Sequence, residues 1–218
     1  MIKTIIYLVT ILLFSACSLE PIPDLWKYKS ANAFNSYTKN FFRSNEVLAK
    51  NDLKTAIEYA KVGADLTALS RIYLGVCALE ISVGNKQACS NYKNIADVVN
   101  SDALDAYYGL IISDLQKEQI TLLPKKYQNF ALHSYTLDYE KANDDILEMK
   151  VVTSQLLAAS LIKEKVTSKV RNKMIETASF HGYKKAVIFW LNEAKKATDD
   201  KYEKERLSKK ISILKSNN

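Results

Sequence analysis

Glycine and proline are scarce: five Gly and three Pro in 218 residues, where average usage would supply about fifteen and about eleven. So little turn material excludes a sandwich or barrel of many short strands. The glycines stand far apart, at 63, 75, 84, 109 and 182. No window therefore holds the glycines that a P-loop, a dinucleotide fingerprint or a nucleophile elbow requires. Histidine is limited to His133 and His181, and neither belongs to a ligand cluster such as His-Glu-x-x-His, so no metal is expected. Only Arg43, Arg71, Arg171 and Arg206 are arginines among 31 basic residues. Nucleic-acid binders lean on arginine forks and a clustered stripe. Here lysines are interleaved with acids, and no nucleic-acid partner is expected.

What remains is globular in composition, 48% hydrophobic and 25% charged, with a net charge of +7. From Ser30 onward the apolar residues recur at helical spacing. Leu53, Ala56, Ile57, Ala60 and Ala64 mark one face behind an Asn51-Asp52 start. Leu66, Leu69, Ile72, Tyr73, Val76 and Cys77 mark the next, which runs to a turn at Gly84-Asn85. Cys89, Tyr92, Ala96 and Val99 stripe a third helix, and Leu104, Tyr107, Tyr108, Ile111 and Ile112 a fourth. Pro124 suits the first turn of a helix through Tyr135. Residues 140–165 are helical with undefined breaks. A pair at 168–180 and 183–197 is joined at His181-Gly182. The charged segment 199–215 has a narrow apolar edge and reads as a capping helix.

The N-terminus has its own grammar. Lys3 precedes an apolar run from Ile5 to Phe14, too short to span a bilayer but of signal-peptide length. It ends in Leu13-Phe14-Ser15-Ala16-Cys17, which resembles the lipobox of bacterial lipoproteins. That resemblance implies cleavage of residues 1–16 and acylation of Cys17, with two or three chains giving stable anchoring. A plain secretory signal or a single anchor helix is the alternative reading. Ser18 stands where Asp would favour inner-membrane retention in that family, which implies the outer membrane. Residues 17–29, with Pro21 and Pro23, then form an extended tether, and 30–218 a helical domain.

Repeats come next. Asn51, Asn85 and the region of Gln119 lie 34 residues apart. Tyr183, Ala186, Trp190 and Ala194 follow Gly182, and Leu53, Ala56, Ala60 and Gly63 follow Asp52, at similar spacings. Leu74-Gly75, with Ala88, Tyr92 and Ile95, makes a middle unit. The pattern resembles the tetratricopeptide repeat. It implies an all-α, antiparallel helix-hairpin solenoid, with an irregular helical bundle as the alternative.

Chemistry-bearing residues are few. Cys77 and Cys89 flank the Gly84-Asn85 turn at similar distances, so their sulfurs would lie at one level. A disulfide or two buried reduced thiols would both fit. No Cys-x-x-Cys activates a thiol. Ser-x-x-Lys occurs at Ser36, Ser90, Ser160 and Ser212, without the partner motifs of penicillin-binding enzymes. Asp144-Asp145 sits in a polar helical segment and reads as a solvated face. No catalytic residue, cofactor or small-molecule substrate is expected. The thirteen tyrosines concentrate in the middle third. Tyr73, Tyr92, Tyr107, Tyr108 and Tyr127 are candidates for a partner surface, or else fill gaps between helices. Together these readings lead to an expectation: a lipoprotein held on the periplasmic face of the outer membrane through Cys17, serving as scaffold or accessory factor of an envelope complex. Display at the cell surface, toward host or extracellular molecules, is the rival.

Overall fold

The computed structural model describes residues 25–85 and 89–216; the lipobox, Cys17, Pro21, Pro23 and Ala88 lie outside them. Among the described residues there are twelve α-helices, two 3-10 segments and no strand, as the scarcity of turn residues required. The helices nevertheless turn sharply, and they do so largely without glycine. At Ser44, Ala64, Gly84, Ser113, Leu137 and Gly182 the backbone is left-handed. The next N–H then reaches back five residues to a helix carbonyl: Asn45 to Asn40 (2.9 Å), Asp65 to Ala60 (3.3 Å), Asp138 to His133 (2.8 Å). This is the Schellman closure, which satisfies carbonyls that a helix end leaves open. Four of the six left-handed positions carry a side chain, at a cost of about 1 kcal/mol each. Asp65 and Asp138 also cap the helix that follows, accepting the N–H of Ala68 (2.8 Å) and Lys141 (3.2 Å).

The first three helices are α1 (Leu25–Phe42), α2 (Glu46–Val62) and α3 (Leu66–Ser82). Their turns fall at 44, 64 and 84, a unit of one helix plus one turn. Asn51-Asp52, expected as a helix start, lies inside α2, so the 34-residue interval does not mark turns. The carboxylate of Asp52 instead accepts Asn40 Nδ2 of α1 at 2.7 Å, a clasp between helices rather than a cap. The chain is also helical from Leu25, shortening the stretch expected to be extended. Trp26 occupies the space left by Gly63, and the Lys29 ammonium sits 5.2 Å from the Tyr59 ring; both contacts hold the first turn of α1 against the end of α2.

The helix expected over Cys89–Val99 is two single turns, α4 (Ser90–Lys93) and α5 (Ala96–Val99). Then come α6 (Asp102–Ile112), a 3-10 segment (Lys117–Leu122), α7 (Lys125–Tyr135), α8 (Tyr139–Glu148) and α9 (Val152–Leu161). A 3-10 turn (Lys163–Lys165) leads to α10 (Ser168–Phe180), α11 (Lys184–Ala197) and α12 (Lys201–Lys215). The hinge at His181-Gly182 falls where the sequence places it.

The core forms around α9. Its residues Ser154 to Ser160 are buried without a break, and it packs on α3, α7, α8 and α10. Buried polar groups there are largely paired internally, as burial demands. Gln155 donates to the Ile146 carbonyl (2.9 Å) and Ser160 to that of Leu157 (2.8 Å). Buried Asn143 of α8 donates to the carbonyls of Tyr139 (2.6 Å) and Lys165 (3.1 Å) and accepts the Thr167 N–H (2.8 Å). It thereby fixes the entry to α10. The ends of the fold also meet: α11 returns to α1, stacking Tyr183 on Phe42 with ring centres 4.5 Å apart. Beside it Lys185 pairs with Glu46 at 2.8 Å. Hairpins of an open solenoid touch only their neighbours, whereas α3–α9 and α1–α11 join elements distant in the chain. Helix α12 lies outside on α11, through Leu191, Leu207 and Ile211.

Candidate functional site

A groove of about 460 Å³ opens between α3, α6, the following 3-10 segment and α7. Arg71, Leu74 and Gly75 come from α3, Leu104 and Tyr107 from α6, Leu122 and Leu123 from the 3-10 segment and its exit, and Tyr127 with Lys126 from α7. Pro124 lines it too, and its carbonyl accepts the Tyr127 N–H at 2.8 Å, closing the turn that starts α7. The floor is apolar and the rim carries Arg71 and Lys126, with no carboxylate among the lining residues. The Lys126 ammonium sits 5.2 Å from the Tyr127 ring, and partial desolvation holds it below the ordinary lysine range. A neighbouring hollow of about 290 Å³ shares Lys126 and adds Lys125, Lys150, Asp145 and Glu148, charges of both signs. The first groove differs from it in having no carboxylate in its lining.

The tyrosine candidates divide on inspection. Tyr107 and Tyr127 face each other at 5.7 Å between ring centres. Desolvation, with the neighbouring Tyr127 adding to it, pushes the Tyr107 hydroxyl well above the usual tyrosine range, so the pair stays neutral and forms a fixed wall. Tyr127 is itself 3% exposed, a floor residue more than a contact residue. Tyr92, expected at a partner surface, is a core residue at 1% exposure. Its hydroxyl donates to Asp105 at 2.6 Å and its ring packs on Tyr108. Its position follows from α4 and α5 being single turns, which fold the ring inward. Tyr73 and Tyr108 are half-buried against the core. Arg71, Ala103, Leu122, Leu123 and Lys126 line the groove without belonging to any helical stripe of the sequence. Leu122 carried a signal, since an exposed leucine beside Leu123-Pro124 in a non-helical stretch has no core reason to be apolar.

Cys77 and Cys89 are joined as a disulfide, with Cα atoms 5.5 Å apart, tying the end of α3 to the start of α4. His133 Nδ1 and Asp145 lie 2.6 Å apart and link α7 to α8. Asp145 is therefore engaged with a partner, while Asp144 is exposed. No group of three or more His, Cys, Asp or Glu suited to a metal occurs among the described residues. No helix among them is long and apolar enough to cross a membrane. Comparison with protein-family profiles, curated proteins and solved structures finds no match to this chain.

Proposed function

We propose that the protein is an envelope lipoprotein, acylated on Cys17 and held at the periplasmic face of the outer membrane, that serves as a non-enzymatic docking scaffold for a protein of an envelope complex. The observation that carries the docking reading is the groove at Tyr107 and Tyr127, apolar within and rimmed by Arg71 and Lys126. It suits a helix or extended segment that presents apolar side chains to the floor and a carboxylate to the rim. Anchoring confines both partners to one plane and raises their effective concentration, so modest affinity suffices. The Cys77–Cys89 pairing supports an oxidising compartment. The tetratricopeptide likeness is kept as a proposal for the α10–α11 hairpin, where Ala178, Ala186 and Trp190 are buried, with α12 as its cap.

The test is in-cell cross-linking and affinity purification of the full chain beside a Cys17→Ala variant and an Arg71→Glu/Lys126→Glu variant. The expected result is a defined envelope partner recovered with the wild type. Charge reversal lowers that recovery about tenfold without releasing the protein from the membrane, roughly the effect of losing 1.4 kcal/mol. Cys17→Ala frees the protein from the membrane and lowers recovery too. Recovery of the wild type alone defeats the scaffold reading, and unchanged recovery of the double variant defeats the groove.

A further inference from the structure

The described structure begins at Leu25, and that end of the molecule has a distinctive surface. Leu25 is 41% exposed, Tyr28 67%, Val62 75% and Leu66 42%. They lie at the start of α1, the end of α2 and the start of α3, which the packing of Trp26 on Gly63 brings together. Lysines frame them: Lys27 sits 5.8 Å from the Trp26 ring, Lys29 rests over Tyr59, and Lys61 is exposed. Of the nearby acids, Asp24 directly precedes Leu25 in the chain, Asp65 is committed to capping α3 and Glu58 pairs with Lys54 at 3.7 Å.

We propose that this end is a membrane-interface footprint, resting in the headgroup layer of an anionic bilayer when the protein is anchored. The proposal rests on the acylation of Cys17. Two arguments select a bilayer over a protein. The first is reach: eight Cα steps lead from Cys17 to Leu25, a span of at most about 25–30 Å. The anchor therefore holds Leu25 within that distance of the membrane, while the far end of α1, about 27 Å further along the axis, is free to stand farther off. The second is chemistry. Tryptophan and tyrosine place an apolar body in the acyl boundary and a polar edge among headgroups, and lysines bury their stems while their ammonium groups meet phosphates. Phe180 is more exposed, at 87%, but no tether emerges beside it. One consequence concerns the groove. Arg71 stands five residues beyond Leu66 on α3, about 8 Å along the axis, so a docked segment would lie just above the headgroups.

The two tryptophans make a clean test. Trp190 is fully buried and Trp26 is at the footprint, so emission quenched by membrane probes reports Trp26. Full-length lipidated protein would be reconstituted in phosphatidylcholine/phosphatidylglycerol vesicles (3:1), with and without phospholipid brominated near the headgroup end of the acyl chain. The bromolipid should lower wild-type emission by about twofold, leave Trp26→Phe unchanged, and act less on Lys27→Glu/Lys29→Glu/Lys61→Glu. If the protein floats with vesicles while Trp26 is unquenched, the footprint is overturned and the anchor stands. If it does not float, the acylation reading fails and the footprint with it. Trp26 emission that shifts with protein concentration in the absence of vesicles would assign the surface to a second copy and overturn the proposal.

Discussion

Helices α9 and α12 have similar regularity and opposite surroundings. Seven consecutive residues of α9, Ser154 to Ser160, are buried, and four other helices pack around it. Of fifteen residues in α12 only Leu207 and Ile211 are buried, and it rests on α11 alone among the main contacts. A helix touched on one side must write a stripe into its sequence, and α12 does. A helix surrounded on all sides needs small and apolar residues everywhere, which erases the periodicity that would reveal its ends. The most important helix of the fold is therefore the one whose boundaries are hardest to read.

Substitution in these two helices should separate them most sharply. Leu157→Ala, at 1% exposure in α9, leaves a cavity that its four neighbours cannot all close, and should cost about 3–5 kcal/mol. Ile211→Ala, at 8% exposure in the small cluster with Leu191 and Leu207, should cost about 2 kcal/mol or less, because solvent reaches the gap from the open side of the helix. Denaturant midpoints measure both. Equal losses would mean that α12 is as integral to the core as α9. A medium effect should appear on removing the disulfide. Closing the loop between Cys77 and Cys89, twelve positions apart, contributes about 2–3 kcal/mol by restricting the unfolded chain. Cys77→Ser/Cys89→Ser should lower the midpoint accordingly, and hydrogen exchange should show protection reduced, relative to wild type, in α3 and not in α12, which rests on α11. An equal reduction in α12 would show that the bond stabilises the fold as a whole and not its own neighbourhood. The smallest effect concerns turns. Leu137 has φ 61° and is 68% exposed, so Leu137→Gly removes strain and sacrifices little packing; a gain of about 0.5 kcal/mol is expected. Gly182 has φ 66° with open space where a side chain would sit, so Gly182→Ala should lose about 1 kcal/mol from conformation alone. Calorimetric midpoints moving the other way would show that these turns relax on substitution.

The helical class, the end of α3, the ends of α10 and α11, and the hinge at Gly182 were legible because each has a one-sided stripe and a recognisable stop. The start of α2 was not. Asn51-Asp52 looks like a cap, and only the neighbouring α1, with Asn40 aimed at Asp52, reveals it as mid-helix. Four turns at Ser44, Ala64, Ser113 and Leu137 were hidden because their left-handed residues are not glycine. The Asn or Asp that follows each was their one local trace. The candidate site was half legible: Tyr107 and Tyr127 stood out by type, but no stripe foretold that Arg71 and Lys126 would share a rim with them.

Composition, helical periodicity and the lipobox-like N-terminus were properties of the chain itself, because each depends on neighbours within a turn or two. Which helices meet was decided by the tertiary structure. The burial of Tyr92, the centrality of α9, the return of α11 to α1 and the assembly of the groove all arise from contacts between residues far apart in the chain. Such contacts depend on how surfaces fit once several helices pack at close density, and a periodic pattern specifies that a face is apolar without specifying what will cover it.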